Sequence, residues 1–253
     1  MTKPSILISN DDGIFAPGIY ALWQAMSEIG ETIVVAPNTE KSAVGHAITI
    51  SDPIRIEEVK RSNGFKGYAV NGTPADSVKI AVKSIMKNKP DIIISGINAG
   101  ANVGQSLLYS GTISAASEGT LLGIPSIAIS LDALRDMDFS TSKVVAKKIV
   151  NKVLEYGLPN ETLLNVNIPK DTEGGIKGYQ ITHQGAIYFK DNFEKREDPR
   201  GRIYYWMTGD VKDTDTKLES DGVAIKEGYV SITPLQLQMT NFDFIEKLSE
   251  WSL

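Results

Sequence analysis

The chain has 253 residues, of which 42% are hydrophobic, 23% charged and 8% aromatic, a composition that is typical of a soluble globular protein and excludes a disordered chain. A net charge of -5 excludes the broad basic surface that holds a DNA or RNA backbone. Cysteine is absent, which excludes disulfides, thiolate metal sites and cysteine nucleophiles and favours a cytoplasmic location.

The first half of the chain alternates between short apolar runs and helical patterns. The apolar run at residues 6–8 is too short for a signal peptide or a membrane span, so no membrane partner is expected. Runs rich in β-branched residues predict strands at 5–9, 32–36, 91–95 and 126–130, and helical periodicity predicts helices at 18–29, 75–86 and 114–122. This alternation predicts an α/β fold with a doubly wound, mostly parallel sheet.

The second half changes character after residue 168. A further helix is predicted from a cap at Ser140 or Thr141 to Gly157. Aromatic and polar segments at 179–183 and 202–207 predict a β-rich extension, and residues 242–251 have the pattern of a short amphipathic helix. We therefore expect one domain over residues 1–253, with an α/β core at 1–170 and a β-hairpin extension with a C-terminal helix at 171–253.

Two adjacent carboxylates, Asp11 and Asp12, directly follow the first predicted strand. Loops at the carboxyl ends of parallel strands are where open α/β sheets bind ligands. Adjacent carboxylates stay ionised together most readily around a hard cation such as Mg²⁺ or Mn²⁺, which prefers oxygen ligands. The pair therefore indicates a metal site, and a solvated turn that caps the next helix is the structural alternative.

A glycine-rich segment, Ser95-Gly96-Ile97-Asn98-Ala99-Gly100-Ala101-Asn102-Val103-Gly104, follows the third predicted strand. Its spacing is not the GxGxxG fingerprint of dinucleotide-binding proteins, so a nicotinamide cofactor is not expected. Its glycines allow close backbone approach, and its two asparagines can offer oxygen atoms or amide donors to a metal or a phosphate. A tight turn with small-residue packing is the alternative interpretation.

Two further turns combine hydroxyl groups with a predicted helix start. In Ser110-Gly111-Thr112, hydroxyls and free backbone N–H groups converge where a helix terminus attracts phosphate, although a simple Ser/Thr helix cap explains the same residues. Asn71-Gly72-Thr73-Pro74 has a comparable pattern. The two histidines, His46 and His183, are too far apart in the chain for a histidine zinc site. Structural and catalytic roles for His46 both stay open.

These motifs belong to a larger set that runs in collinear order along nearly the whole chain. The set comprises Ser9-Asn10-Asp11-Asp12-Gly13, Ala36-Pro37 with Ser42, Gly45-His46, Asn71-Gly72-Thr73-Pro74, the segment 95–104, Ser110-Gly111-Thr112, Asp198-Pro199-Arg200-Gly201-Arg202, Tyr204-Tyr205-Trp206 and Ser231-Ile232-Thr233-Pro234-Leu235. It resembles the SurE, or stationary-phase survival protein, family of 5′/3′-nucleotidases. Chance is a poor explanation for so many matches in one order.

The resemblance implies a Rossmann-like fold and one divalent metal ion per subunit, Mg²⁺ or Mn²⁺, held by Asp11, Asp12, Ser42 and Asn98. The residues alone point to three of these ligands, whereas Ser42 comes from the resemblance. The family also implies a homodimer or homotetramer in which the C-terminal region is exchanged between subunits, including the aromatic region 188–209. Ala43 departs from the family pattern, which usually has glycine after the serine, and a stiffer Ser42 loop is the expected consequence.

The expected function is metal-dependent hydrolysis of nucleoside 5′-monophosphates, and of 3′-monophosphates as a further expectation, with Asp11 and Asp12 as the catalytic carboxylates. Neutral donors for the phosphate would come from the remaining turns, at Asn71, Thr73, Asn102, Ser110, Gly111 and Thr112. No stable nucleic-acid partner is expected. The alternatives are a nucleotide-binding sensor without turnover and a phosphatase that forms an aspartyl-phosphate, for which the expected aspartate-any-aspartate spacing is missing.

Overall fold

The structure, a computed structural model, describes residues 3–61, 63–170 and 175–251. Its strands are β1 (Ser5–Ser9), β2 (Glu31–Pro37), β3 (Ile56–Lys60), β4 (Lys66–Val70), β5 (Ile92–Ala99), β6 (Ser126–Leu131), β7 (Thr162–Ile168), β8 (Gly178–Ile181), β9 (Tyr188–Glu197), β10 (Ile203–Lys212) and β11 (Tyr229–Gln236). Its α-helices are α1 (Pro17–Ser27), α2 (Pro74–Ile80), α3 (Gly111–Leu121), α4 (Ser140–Tyr156), α5 (Asp221–Lys226) and α6 (Phe242–Ser249).

Nine of these strands form one sheet in the order β3-β4-β2-β1-β5-β6-β7-β11-β8, and helices cover both of its faces. Side chains alternate across a strand, so Ile6 and Ile8 of β1 pack with α1 and α4, whereas Leu7 packs with α2 and α3. All three side chains are fully buried. A strand that is covered on both faces has a continuous apolar sequence, which is why the sequence predicts β1 correctly.

The sheet changes its winding direction at β1. This strand pairs in parallel with β2 on one side and with β5 on the other. From β2 the sheet continues to β4, and from β5 it continues to β6 and β7, again in parallel. Loops that leave neighbouring strands at such a switch point turn to opposite faces of the sheet and leave a crevice between them. The crevice therefore lies between the residues that follow β1 and the end of β5.

The C-terminal part of the chain divides between this sheet and a separate hairpin. β11 pairs antiparallel with β7, and β8 pairs in parallel with β11, so two strands beyond residue 170 complete the main sheet. β9 and β10 form an antiparallel ribbon of their own. The predicted boundary between core and extension, between residues 170 and 171, adjoins residues 171–174, which lie outside the described residues.

The predicted α/β class and the first four predicted strands are confirmed, but other elements differ. The edge strand β3 has mostly exposed side chains, so no apolar pattern marks it. The helix predicted at 75–86 is α2 followed by a π-helical turn at Ala81–Ile85. A cap at Ser140 or Thr141 is wrong, because the N-cap of α4 is Phe139 and the Asp138 carboxylate accepts the Ser140 N–H. No helix of the described chain is long and apolar enough to cross a membrane.

Candidate active site

Asp11 is buried where the end of β1 meets the start of α3. The residue is only 4% exposed, and its Oδ1 accepts a hydrogen bond of 2.6 Å from the Thr112 hydroxyl. A Cβ added at Gly111 would lie 2.6 Å from Asp11 Cβ, so only glycine fits between the helix start and the carboxylate. The N-terminus of α3, which carries a partial positive charge, is therefore packed directly against Asp11.

Asp12 contacts the carboxyl end of β5, at the residue next to Asn98. The Ala99 N–H donates to Asp12 Oδ2 at 3.3 Å. Asn98 Nδ2 donates to the carbonyl oxygen of Gly100 at 2.8 Å, which fixes the orientation of the amide. No hydrogen bond from another described residue occupies Asn98 Oδ1, so this oxygen is free to contact a cation.

Burial raises the pKa values of both aspartates. For Asp12 burial is the largest cause, and the neighbouring Asp11 charge adds to it, so that its pKa rises to about 6. Burial also raises the pKa of Asp11, although hydrogen bonds from Thr112 oppose this effect, and the Glu40 carboxylate raises the pKa of each aspartate further. Neither aspartate forms an ion pair within the described ranges. Three carboxylates without a cationic side chain make this crevice attractive to a cation.

The loop that carries Ser42 lies beside the aspartates. The Lys41 N–H donates to the main-chain oxygen of Asp11 at 2.7 Å, which ties the loop to the end of β1. The Ser42 hydroxyl is exposed and donates to Glu40 Oε1 at 2.7 Å. Ala43 has a φ of 57°, in the left-handed region that glycine adopts without strain. The alanine at this position, unusual for the family that the sequence resembles, therefore holds the loop in a costly conformation.

His46 joins a charged cluster behind this loop. Its Nε2 lies 3.1 Å from Glu118 Oε2, and the Lys79 ammonium lies 2.7 Å from Glu118 Oε1. Glu118 is 3% exposed, and these partners hold its pKa below the usual value although burial alone would raise it. His46 therefore has a structural contact, which is its contact with Glu118. Sequence reasoning missed Glu118, because a single glutamate in the middle of a helix carries no local signal.

Ser110 and Thr112 use their hydroxyl groups within the protein. Ser110 Oγ accepts the Ile113 N–H at 3.1 Å and so caps α3, and the Thr112 hydroxyl donates to Asp11. Of these two hydroxyl groups, that of Thr112 contacts a carboxylate of the pair. Contact of these two hydroxyl groups with a phosphate stays a prediction, whereas the helix-cap interpretation of Ser110 is confirmed.

Asn102 is held by a buried group of polar side chains. Its Nδ2 donates to Ser130 Oγ at 2.9 Å, and its main-chain oxygen accepts amide hydrogens from Asn165 and Asn167, each at 2.9 Å. Both of these asparagines are fully buried in β7. The structure therefore fixes the backbone of Asn102 firmly, and sequence reasoning missed the two residues that do so.

Asn71 and Thr73 are engaged in local structure at the start of α2. Asn71 Oδ1 accepts the Arg55 N–H at 2.6 Å, and Thr73 forms a capping box with Asp76. The Thr73 hydroxyl also donates to the main-chain oxygen of Ala47 at 2.7 Å. These two residues thus support the loop that includes His46, and substrate contact by them stays a prediction.

Among the residues that the structure covers, no three His, Cys, Asp or Glu side chains are arranged as a metal site. The predicted ligand set contains only two carboxylates and completes the site with a hydroxyl and an amide oxygen. Asp11 and Asp12 follow β1, Asn98 lies near the end of the neighbouring strand β5, and Ser42 lies on the adjacent loop.

Comparisons with known proteins point to one family. The family described as Survival protein SurE matches residues 6–191 of the chain. A protein of Caldanaerobacter subterraneus subsp. tengcongensis named 5′-nucleotidase SurE is 46% identical over 100% of this chain and 99% of that protein. A protein of the same name from Christiangramia forsetii is 48% identical over 99% of this chain and 98% of that protein. The crystal structure of the SurE protein from Aquifex aeolicus matches with a TM-score of 0.84 and 40% identity, over 97% of this chain and 98% of that chain.

Proposed function

The chain belongs to the SurE family, and from this premise we propose that it is a divalent-metal-dependent 5′-nucleotidase, which hydrolyses nucleoside 5′-monophosphates to nucleoside and phosphate. Relatives named 5′-nucleotidase SurE match it over its whole length. The observation that carries the proposal is the pair Asp11 and Asp12, which is partly to fully buried at the switch point of the sheet and has no cationic partner among the described residues.

The residues at this position fit a small, hard cation. Asp11 and Asp12 offer carboxylate oxygens, and Asn98 and Ser42 offer an amide oxygen and a hydroxyl, which is the donor set that Mg²⁺ and Mn²⁺ prefer. Buried carboxylates are costly unless they are paired or hold a metal. A bound cation would supply Lewis-acid stabilisation of the charge on the phosphate oxygens.

Asp11 and Asp12 have different roles in the proposed reaction. Thr112 holds Asp11 in one orientation through its hydroxyl, so we assign to Asp11 the positioning of the proposed metal. Asp12 is more exposed, and we assign to it the acceptance of the proton from the attacking water. The water oxygen bonds to phosphorus while the bond from phosphorus to the nucleoside oxygen breaks, and the leaving oxygen takes a proton from solvent.

Neutral donors would balance the remaining charge of the phosphate. The start of α3 is packed against Asp11, and a helix N-terminus favours negative charge. Asn102 and Ser110 are the first and last residues of the stretch 102–110, which leads into this helix. Since the net charge of the chain is -5, the attraction for a phosphate dianion must arise locally. Use of 3′-monophosphates is part of the same proposal and follows from the resemblance.

We also propose that the protein is a homodimer or homotetramer that assembles through its C-terminal region. Trp206, Tyr205 and Phe193 on the β9–β10 hairpin are 58%, 59% and 59% exposed. α6 has no buried residue, although Phe242 and Phe244 are among its side chains. Exposed apolar surface of this kind marks an interaction site, and exchange of this region between two copies would cover it. A cytoplasmic location stays a prediction.

Phosphate release from AMP and GMP, measured with Mn²⁺ and again after exhaustive chelation, tests the catalytic proposal. We expect activity only with the metal, and a loss of at least about 100-fold in Asp11→Asn and Asp12→Asn. Asp132→Asn is the matched control, because Asp132 is an exposed carboxylate that follows β6 at the same edge of the sheet.

Three outcomes would contradict the proposal in different ways. Full activity after chelation would exclude metal dependence. Binding of metal and nucleotide without phosphate release would favour the sensor. Accumulation of a phosphorylated enzyme would favour the aspartyl-phosphate route.

A further inference from the structure

One segment, residues 98–112, touches both carboxylates of the proposed site. At its start the Ala99 N–H donates to Asp12 Oδ2 at 3.3 Å. At its end the Thr112 hydroxyl donates to Asp11 Oδ1 at 2.6 Å. The segment also includes Asn102 and Ser110, for which substrate contact is predicted. The placement of its middle therefore affects how these donors are held.

The middle of the segment is fastened by Asp221, at the start of α5. Asp221 is fully buried, and its Oδ2 accepts the Gly104 N–H at 3.0 Å. Its Oδ1 accepts the N–H groups of Gly185 at 2.9 Å and of Gly222 at 2.8 Å. Burial raises the pKa of this carboxyl against the effect of these three donors. A buried acceptor with three backbone donors is costly to remove, because each donor would lose its partner.

Gly104 is also held against the base of the hairpin. Its carbonyl oxygen accepts an amide hydrogen from Gln184 at 2.8 Å. The next residue, Gln105, donates its N–H to the Ile187 carbonyl at 2.9 Å, and a Cβ at Gly104 would clash with Ile187. β9 begins directly after Ile187. Asp221 thus joins three parts of the chain, namely α5, the base of the hairpin and the middle of the 98–112 segment.

We infer that Asp221 is a positioning residue for the reaction, which fixes the 98–112 segment to the base of the hairpin and so holds the donors predicted for the substrate in place. Its kinetic consequence rests on the proposed function. Asp11 and Asp12 follow β1, and Asn98 lies in β5, where it pairs with Ser130 of β6, so the sheet holds the backbone of the proposed metal ligands. The donors predicted for the substrate lie on the segment itself. Loss of the tie should therefore weaken substrate use more than metal binding, a separation that general destabilisation would not produce.

Asp221→Asn tests this inference with little change in shape. The amide keeps one acceptor oxygen but turns an NH₂ group toward a backbone N–H. We expect kcat/KM for AMP to fall at least about tenfold, mostly through KM, because small misplacements of binding groups have effects of this size. The Mn²⁺ concentration for half-maximal activity should change less than about threefold. Amide hydrogen exchange in a peptide covering residues 100–108 should become faster.

Asp215→Asn is the matched control. Asp215 accepts the Ala186 N–H and the Ser220 hydroxyl, both at 2.7 Å, so it lies in the same part of the chain without touching Gly104. The control should keep wild-type KM and wild-type exchange at residues 100–108. If Asp221→Asn does not fold, Gln184→Leu removes the second tie to Gly104 and should show the same pattern to a smaller degree.

The inference would be overturned if Asp221→Asn lowered the melting temperature but left KM and the exchange at residues 100–108 unchanged. Equal changes of KM and exchange in the Asp215→Asn control would overturn it too. If the wild-type protein releases no phosphate, the proposed function fails and the kinetic role of Asp221 fails with it. Hydrogen exchange would still decide in that case whether Asp221 holds the segment, so the two failures are distinguishable.

Discussion

Replacing Gly111 with alanine tests the packing of α3 against the Asp11 carboxylate. The new Cβ would lie 2.6 Å from Asp11 Cβ and 2.9 Å from Asp11 Oδ2. Since nonbonded carbon atoms settle at about 3.5–4.0 Å, either the helix start or the carboxylate must move by roughly 1 Å. Both groups belong to the proposed site, so the substitution should displace a metal ligand without removing any of its atoms.

The expected loss of activity is larger than the expected loss of stability. Overpacking of this kind costs about 1–3 kcal/mol, and the better helix propensity of alanine offsets about 1 kcal/mol of it. The net change of about 0–2 kcal/mol should lower Tm by less than about 8 °C in a chain of this length. A misplacement of about 1 Å at a reacting centre can lower the rate about 100-fold.

Steady-state kinetics with AMP across a Mn²⁺ titration, together with thermal melting, would measure both effects. Gly222→Ala is the matched control, because Gly222 also lies in the first turn of a helix and the nearest atom to its added Cβ is Asp213 Oδ2, at an unstrained 3.4 Å. A kcat/KM within about threefold of the wild type for Gly111→Ala would refute the view that Asp11 must hold its place against this helix.

Four further outcomes are expected. Ser110→Ala should lower stability by about 1 kcal/mol through loss of the cap, and kinetics on the same variant decide whether Ser110 also contacts phosphate, which requires a fall in kcat/KM of at least about tenfold. Thr112→Val should weaken Mn²⁺ binding, because it removes the donor that orients Asp11; unchanged metal affinity would contradict that role. The pKa of Asp12 is raised from 3.8 to about 6 in the folded protein, so its stabilising contribution is complete below pH 3.8 and is lost as pH rises through about 6. The Tm of the metal-free protein should therefore fall across this range, and saturating Mn²⁺ should remove the fall; a flat Tm without metal would count against it. Trp206→Glu should lower the mass measured by sedimentation, whereas a wild-type protein that is strictly monomeric would refute assembly through the hairpin.

The sequence predicts the fold best where a strand is buried on both faces. Residues 5–9, 91–95 and 126–130 are nearly continuous apolar runs because helices cover both sides of the sheet. The sequence does not predict β3, because its side chains are mostly exposed at the edge of the sheet. The strand β11 is antiparallel to β7 in the same sheet, and nothing in the local sequence shows that this part of the extension joins the core.

The candidate site was predictable to the extent that it follows from strand ends. Asp11, Asp12 and Asn98 are visible in the sequence because each follows or ends a recognisable buried strand, and parallel strands bring their carboxyl ends to one edge. Ser42 required the family resemblance, since its loop has no pattern of its own. Glu118 was not predictable, because its charge matters only through contacts with His46 and Lys79.

The sequence by itself therefore determined the α/β class, the strand that presents Asp11 and Asp12, and the glycine positions at which the backbone can approach them. These features are local, since they arise from apolar runs, turn chemistry and the order of residues along one strand. Only the tertiary structure decided that Thr112 orients Asp11 across 101 positions and that Asp221 holds Gly104 across 117 positions. Such contacts depend on which strands become neighbours and on how closely helices pack on them, and chain order alone does not encode those distances.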